Sequence, residues 1–140
     1  MENFQYLRLV DGDSFPDIKV SCPFVTIVII ETPVSANWQA KASEWLVDQG
    51  CLYMLAWGLE CSSWDDSVDI ATLEYFDYKD IPEDRFVMTT WHANESITEV
   101  IEFAVRSARH SSQVLENFIF LHISDISRQD EFTKLYSEFI

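Results

Sequence analysis

A run of β-branched and aromatic residues, FVTIVIIE at positions 24–31, constrains the fold more than any other feature of this sequence. After Thr26 the run has no alternating polar residues, so both faces of a strand formed here would lie in apolar surroundings. Strands buried on both faces are typical of parallel sheets that carry helices on each side. The run therefore predicts a central parallel strand in an α/β domain.

Three further apolar runs of strand length follow, and segments with helical periodicity separate them. We predict strands over 24–31, 51–57, 86–91 and 118–123, and helices over 35–49, 63–74, 96–109 and 127–139. Residues 1–23 are predicted to form an N-terminal extension or an edge strand, with the strand around 6–10. Strands that alternate with helices predict right-handed crossovers. The predicted fold is one domain over 1–140, a three-layer α/β/α Rossmann-like sandwich with a mainly parallel sheet of four or five strands.

The helical segment over 96–109 has the clearest pattern. Ser96 and Glu99 form the capping box S-x-x-E, in which each side chain can bond the backbone amide of the other residue. Apolar residues then recur on one helical face, at Ile97, Val100, Ile101, Ala104, Val105 and Ala108. We expect this face, with Ile101 near its centre, to pack on the sheet. Candidate N-caps of the two preceding helices are Ser35, and Ser62 or Ser63.

The charge of the chain limits the partners that it can have. Its 24 acidic and 9 basic residues give a net charge of −15. Such a surface repels nucleic-acid phosphates and anionic membranes, so we expect neither as a partner. A field of one sign instead speeds the approach of the opposite sign, which favours a basic protein partner. The composition leaves the oligomeric state open.

The cysteines and the start of the chain indicate a reducing compartment. Cys22, Cys51 and Cys61 are odd in number and lack C-x-x-C spacing, which argues against a disulfide framework or a zinc ribbon. The first residues show no basic segment followed by an apolar run, as a signal peptide would. The longest apolar stretch, over 24–30, is too short to span a bilayer. These features predict a cytoplasmic protein.

Unusual residues follow the predicted strands, at the carboxyl edge of the sheet where open α/β folds bind their ligands. The candidate ligand-binding residues are Trp57, Glu60, Trp64, Asp65, Asp66, Thr90, Trp91 and His92. Cys61 and His92 are candidate catalytic residues, because a thiol and an imidazole that meet in space can act as a nucleophilic pair. No catalytic role can be assigned to either from the sequence alone.

Several residues at or near this edge also have a purely structural interpretation. Cys61 can be a small buried hydrophobic residue. Asp65 and Asp66 fit first-turn charges of a helix better than a magnesium site. His122, inside an apolar run, fits a hydrogen-bonded core residue. The chain lacks G-x-G-x-x-G, G-x-x-x-x-G-K-[ST] and G-x-S-x-G, so we predict no metal and no cofactor.

Several strings of the sequence resemble those of a small uncharacterised bacterial family. The distinctive ones are WGLECSSWDDSVD at 57–69 and TTWH at 89–92, and the resemblance covers most of the chain after Phe24. This family brings no known activity, so the resemblance implies no function.

Two functional hypotheses from different classes remain. The first is a non-catalytic acidic module that binds protein, as inhibitors, immunity proteins and adaptors do. The second is a small-ligand-binding protein or enzyme that uses the carboxyl edge around Cys61 and His92. Acidic residues crowd positions 60–84, with only Lys79 and Arg85 beside them. The first hypothesis requires that these acidic residues cover an exposed surface. The second requires that the candidate catalytic residues lie together around one pocket.

Overall fold

In residues 3–140, which the computed structural model describes, the chain forms five β-strands and four α-helices. The strands are β1 Phe4–Leu9, β2 Phe24–Ile30, β3 Cys51–Gly58, β4 Met88–Trp91 and β5 Phe118–Ile123. The helices are α1 Ala36–Gln49, α2 Cys61–Tyr75, α3 Ile97–Arg106 and α4 Gln129–Phe139. A 3-10 turn, Glu83–Arg85, precedes β4. Residues 1 and 2 of the predicted N-terminal extension lie outside the described residues.

The strands form one parallel sheet in the order β1-β5-β2-β3-β4. Helices α1 and α2 cover one face, and α3 and α4 cover the other. The predicted three-layer α/β/α sandwich is thus confirmed, with five strands because β1 pairs beside β5. All residues of the central strand β2 are buried, as its unbroken apolar run requires.

The start of α2 differs from the prediction. The helix begins at Cys61 instead of position 63, and Glu60 precedes it with a left-handed backbone, φ 53°, and no side-chain cap. The prediction that Ser62 or Ser63 is the N-cap is therefore wrong. The Ser63 hydroxyl instead donates to the Glu60 carbonyl oxygen at 2.6 Å, inside the first turn.

Helix α3 and strand β4 are shorter than predicted, and α4 begins at Gln129 instead of 127. Helix α3 ends at Arg106, where the backbone amides of Ser107 and Ala108 both donate to the Phe103 carbonyl. Strand β4 begins at Met88 instead of 86, and the carbonyl of Phe86 bonds the imidazole Nε2 of His110 at 2.7 Å. The first limit is set by local backbone bonds, and the second lies beside a contact between distant segments. Ser35 caps α1 as predicted, accepting from the Trp38 amide at 3.2 Å.

Strands β2 and β5 are neighbours whose following helices lie on opposite faces of the sheet. Strand β2 leads into α1, and β5 leads into α4. Adjacent strands whose connections diverge in this way form a topological switch point, where ligands of open α/β folds bind. A ligand of this fold class would therefore contact the residues that follow β2 and β5. Among residues 3–140, no helix is long and apolar enough to cross a membrane.

Candidate functional site

Trp57 lies at the end of β3, beside a crevice at the carboxyl edge of the sheet. Its indole N–H donates to the Glu95 carbonyl at 2.7 Å, which joins β3 to the loop after β4. The crevice has a volume of about 420 Å³, and Glu31, Trp57 and Glu95 line it with four smaller residues. Gly58 closes the turn here with φ 108°, and a side chain at this position would collide with the Ile30 carbonyl. This crevice is open and carries carboxylates.

The candidates on α2 are dispersed around the helix. Glu60 is exposed, and Trp64 is 1% exposed and packed in the core; both border a cavity of about 280 Å³ between α1 and α2. Asp66 is exposed, whereas Asp65 is half-buried, with one carboxylate oxygen lacking a hydrogen-bond partner in the described chain. Because α2 begins at Cys61, neither residue lies in its first turn, so their interpretation as first-turn charges is wrong. These four residues therefore do not form one pocket.

Cys61 and His92 are on opposite sides of the sheet. Cys61 is buried in the core that α1 and α2 cover. His92 lies against Phe103 of α3, with ring centroids 5.6 Å apart. Its Nε2 bonds the Thr90 hydroxyl at 2.9 Å, and its Nδ1 bonds a carboxylate oxygen of Glu95 at 2.8 Å. Among residues 3–140 no hydrogen bond joins the thiol to the imidazole, so the structure does not bring the predicted pair together.

A buried polar network occupies the switch point between β2 and β5. His122 of β5 is fully buried, and its Nδ1 bonds the Tyr6 hydroxyl at 2.6 Å. Its Nε2 bonds one carboxylate oxygen of Glu31, at the end of β2. The other oxygen of Glu31 accepts from the Arg128 guanidinium at 2.7 Å, and Arg128 also pairs with Glu131. The network joins β1, β2, β5 and the start of α4.

Arg128 fills the place where a ligand of this fold class would enter. Its guanidinium lies 4.7 Å from the centre of the Phe132 ring, and its backbone amide donates to the Tyr6 hydroxyl at 3.1 Å. The backbone amides of Glu31 and Thr32 donate to the Ile123 carbonyl, which holds the two strand ends together. The side chains of Tyr6, Glu31, His122 and Arg128 thus satisfy one another's polar groups at the switch point, and His122 acts as a hydrogen-bonded core residue.

The network makes stability depend on pH. Burial lowers the pKa of His122 below its ordinary value of 6.5, although the bond to Glu31 opposes this shift. The unfolded chain therefore binds more protons than the folded chain below about pH 6.5, and the free energy of unfolding falls as the pH falls. We expect a smaller loss of stability between about pH 7.5 and about pH 5.5 in a His122→Gln variant, which cannot titrate there. Urea unfolding of the parent protein and the variant at both pH values measures the loss of stability. Equal losses in the two proteins would contradict the expectation.

A second region lies at the open edge of the sheet, beside β4. Leu73 of α2, with Ile81 and Phe86 of the following segment, borders a shallow apolar cavity of about 190 Å³. The Thr89 hydroxyl donates to a carboxylate oxygen of Asp69 at 2.9 Å, which places Thr89 on the α2 side of the sheet. Trp91 shares that side because alternate residues of a strand share a face. We define the β4-edge surface as Asp69, Leu73, Ile81, Phe86, Thr89 and Trp91.

Carboxylates are frequent on α2 and on the segment between α2 and β4. All but one of those over 60–84 are exposed, and Asp65 is half-buried; they are Glu60, Asp65, Asp66, Asp69, Glu74, Asp77, Asp80, Glu83 and Asp84. Partial desolvation of its carboxylate raises the pKa of Asp69; the bond from Thr89 opposes this shift, and the charges of Asp65 and Asp66 add to it. The Arg85 guanidinium lies over the Tyr75 ring, 5.2 Å from its centre. The β4-edge surface therefore combines apolar side chains with the carboxylate of Asp69, on which the charges of Asp65 and Asp66 act. In the described chain, no group of three or more side chains is arranged to hold a metal ion.

The sequence predicts His122 as a hydrogen-bonded core residue, but Tyr6, Glu31 and Arg128 are not among the predicted site residues. Tyr6 lies in a segment with no distinctive pattern, and Arg128 follows a loop. Glu31 and His122 are 91 residues apart, and their contact depends on β5 lying beside β2. Strand order was the missing information, since sequence periodicity gives the strands and not their neighbours.

Comparison with known proteins gives a family without an assigned activity. The chain belongs to the family described as a domain of unknown function, DUF7684, whose model matches residues 4–139. No curated protein and no solved structure matches the chain.

Proposed function

We propose that this protein is a non-catalytic acidic module that binds a basic protein partner in the cytoplasm, in the manner of an inhibitor, an immunity protein or an adaptor. The observation that carries the proposal is the β4-edge surface, where exposed aromatic side chains lie among carboxylates. Phe86 is 46% exposed and Trp91 is 50% exposed. Exposed aromatic residues of this kind are typical anchors of protein interfaces.

The charges support the choice of partner. The carboxylates over 60–84 are exposed except for the half-buried Asp65, and the charges of Asp65 and Asp66 act together with Asp69 at the β4-edge surface. Complementary fields speed encounter and exclude partners of like charge. A basic protein with an apolar contact region is therefore attracted, whereas nucleic acid and anionic membranes are repelled.

A small ligand in the crevice beside Trp57 is the second candidate function. Its support is one indole and two carboxylates around about 420 Å³, a composition that suits a cationic ligand. Two observations give it less support than protein binding. Cys61 and His92 lie on opposite sides of the sheet, and Arg128 with Glu31 fills the switch point.

The proposal predicts that binding depends on the β4-edge surface. We expect a Phe86→Ser/Trp91→Ser variant to lose the basic proteins that the parent protein retains from a lysate of its own source cells. The two anchors are exposed, so the change removes contacts at the surface without opening the core. The measurement is affinity capture at low and high salt, with captured proteins identified by mass spectrometry.

The matched control is Val114→Ser/Ile126→Ser, which also removes two exposed apolar side chains, 75% and 67% exposed, outside the β4-edge surface. We expect the control to retain the same partners as the parent, and more of them at low salt than at high salt. Identical capture by all three proteins, or capture of acidic proteins alone, would contradict the proposal.

A further inference from the structure

The outer edge of β4 has unpaired backbone groups. The His92 amide donates to the Ala56 carbonyl at 3.0 Å, and β4 pairs with β3 in register. In a parallel ladder, alternate residues direct both their N–H and their C=O to the same neighbour. Met88 and Thr90 therefore face β3, while Thr89 and Trp91 direct their backbone N–H and C=O groups away from the sheet. None of these outward groups bonds another element within residues 3–140.

The other edge strand, β1, has a segment of the chain packed beside it. The Gln5 side chain of β1 donates to the Asp17 carbonyl at 3.2 Å and accepts from the Lys19 amide at 2.7 Å. Because side chains project from the faces of a sheet, the segment that follows β1 lies over one face of that strand. Natural proteins usually cover or charge an edge strand, because an open one pairs with other chains. Within residues 3–140, no backbone bond from another element reaches the outward groups of β4.

The side chains of β4 fit an extended partner on both faces. Trp91 lies on the α2 side, and Met88, which is 38% exposed, lies on the α3 side. Carboxylates accompany the α2 side, where Asp69 bonds Thr89. An added strand would place alternate residues over these two faces. Apolar residues suit Met88 on the α3 side, and basic residues suit Asp69 and the Trp91 ring on the α2 side.

Building on the protein-binding function above, we propose that the partner contributes an extended basic segment that pairs with β4 as an additional strand. Backbone hydrogen bonds to Thr89 and Trp91 supply affinity, and the alternating side chains supply specificity, as in other cases of strand addition. A second copy of this chain is the alternative occupant of an open edge. The net charge of −15 on each copy and the carboxylates beside β4 oppose that pairing.

The first test uses a defined probe, a ten-residue peptide of alternating lysine and valine, titrated into the full chain while Trp fluorescence is recorded. The control peptide has the same sequence with all internal amides N-methylated, so it keeps its charge but cannot pair as a strand. We expect the unmethylated peptide to bind about tenfold more tightly than the N-methylated control. A tenfold difference in affinity corresponds to about 1.4 kcal/mol. Equal affinity, or no binding of either peptide below about 1 mM, would overturn the proposal.

The second test removes one outward donor of β4. Thr89→Pro deletes an N–H that faces away from β3, a position where edge strands tolerate proline. Thr89→Ala is the matched control, since both variants lose the hydroxyl that bonds Asp69 but only the first loses the amide. We expect the proline variant to weaken peptide binding about tenfold and the alanine variant to leave it within about threefold. Both variants must unfold at similar urea concentrations, which excludes a folding defect.

The two proposals can fail separately. If Phe86→Ser/Trp91→Ser abolishes partner capture while Thr89→Pro and Thr89→Ala bind the peptide equally, the surface binds protein without strand addition. If Phe86→Ser/Trp91→Ser changes nothing as well, the protein-binding function is wrong. Elution of the unmixed chain as a dimer in size-exclusion chromatography, lost in Thr89→Pro, would assign the edge to a second copy and overturn the inference.

Discussion

Replacing Ile101 by Asp should unfold the domain or leave it close to unfolding. Ile101 lies at the centre of the apolar face of α3 and is fully buried against the sheet, in the cluster that contains Ile27 and Phe120. A carboxylate at this position would have no basic partner, and an unpaired buried charge is among the most costly single changes. We expect a loss of more than about 4 kcal/mol, a large fraction of the stability of a domain of this size.

The control for this experiment is Thr98→Asp, which adds the same charge to an exposed position in the first turn of α3. An acidic side chain there interacts favourably with the helix dipole, so the control should be as stable as the parent or slightly more stable. Circular dichroism with urea unfolding distinguishes the two variants. A melting temperature of Ile101→Asp within a few degrees of the parent would mean that this face of α3 does not form the core.

Periodicity was enough to predict the layers of this fold. The apolar runs over 24–31, 51–57 and 118–123 became buried strands, since strands buried on both faces need apolar residues at every position. The stripe containing Ile101 became the buried face of α3 for the same kind of reason. Hydrophobic pattern is a local property, and these elements depend on local pattern.

Sequence reasoning missed one local backbone feature and several that depend on contacts between distant segments. Helix α2 starts at Cys61 because Glu60 takes a left-handed backbone, which no capping residue announces. Cys61 and His92 are separated because the loops after β3 and β4 place them on different faces of the sheet. A shift of the strand register by one residue would exchange these faces. Strand order was equally hidden, because it decides that β5 lies beside β2.

The switch point and the edge of the sheet at β4 differ in chemical character. The switch point, where this fold class usually binds ligands, contains Glu31, His122 and Arg128 bonded to one another. The edge at β4 has unpaired backbone groups and exposed aromatic residues. Unsatisfied groups at a surface are available to a partner, whereas satisfied buried groups stabilise the fold. This difference is the physical reason for placing function at the edge and stability at the switch point.

That assignment makes a prediction about the two carboxylates that share Arg128. We expect Glu31→Gln to lower the free energy of unfolding by about 1–3 kcal/mol, because glutamine removes the less exposed of the two anionic partners of a largely enclosed guanidinium. Glu131→Gln is the matched control, since Glu131 pairs with the same arginine but is 48% exposed, against 30% for Glu31. An exposed ion pair contributes less than about 1 kcal/mol, so Glu131→Gln should lower the free energy of unfolding by less than Glu31→Gln does. Urea unfolding at about pH 7.5 measures both variants, and equal losses would show that the network at the switch point does not stabilise the fold more than a surface ion pair does.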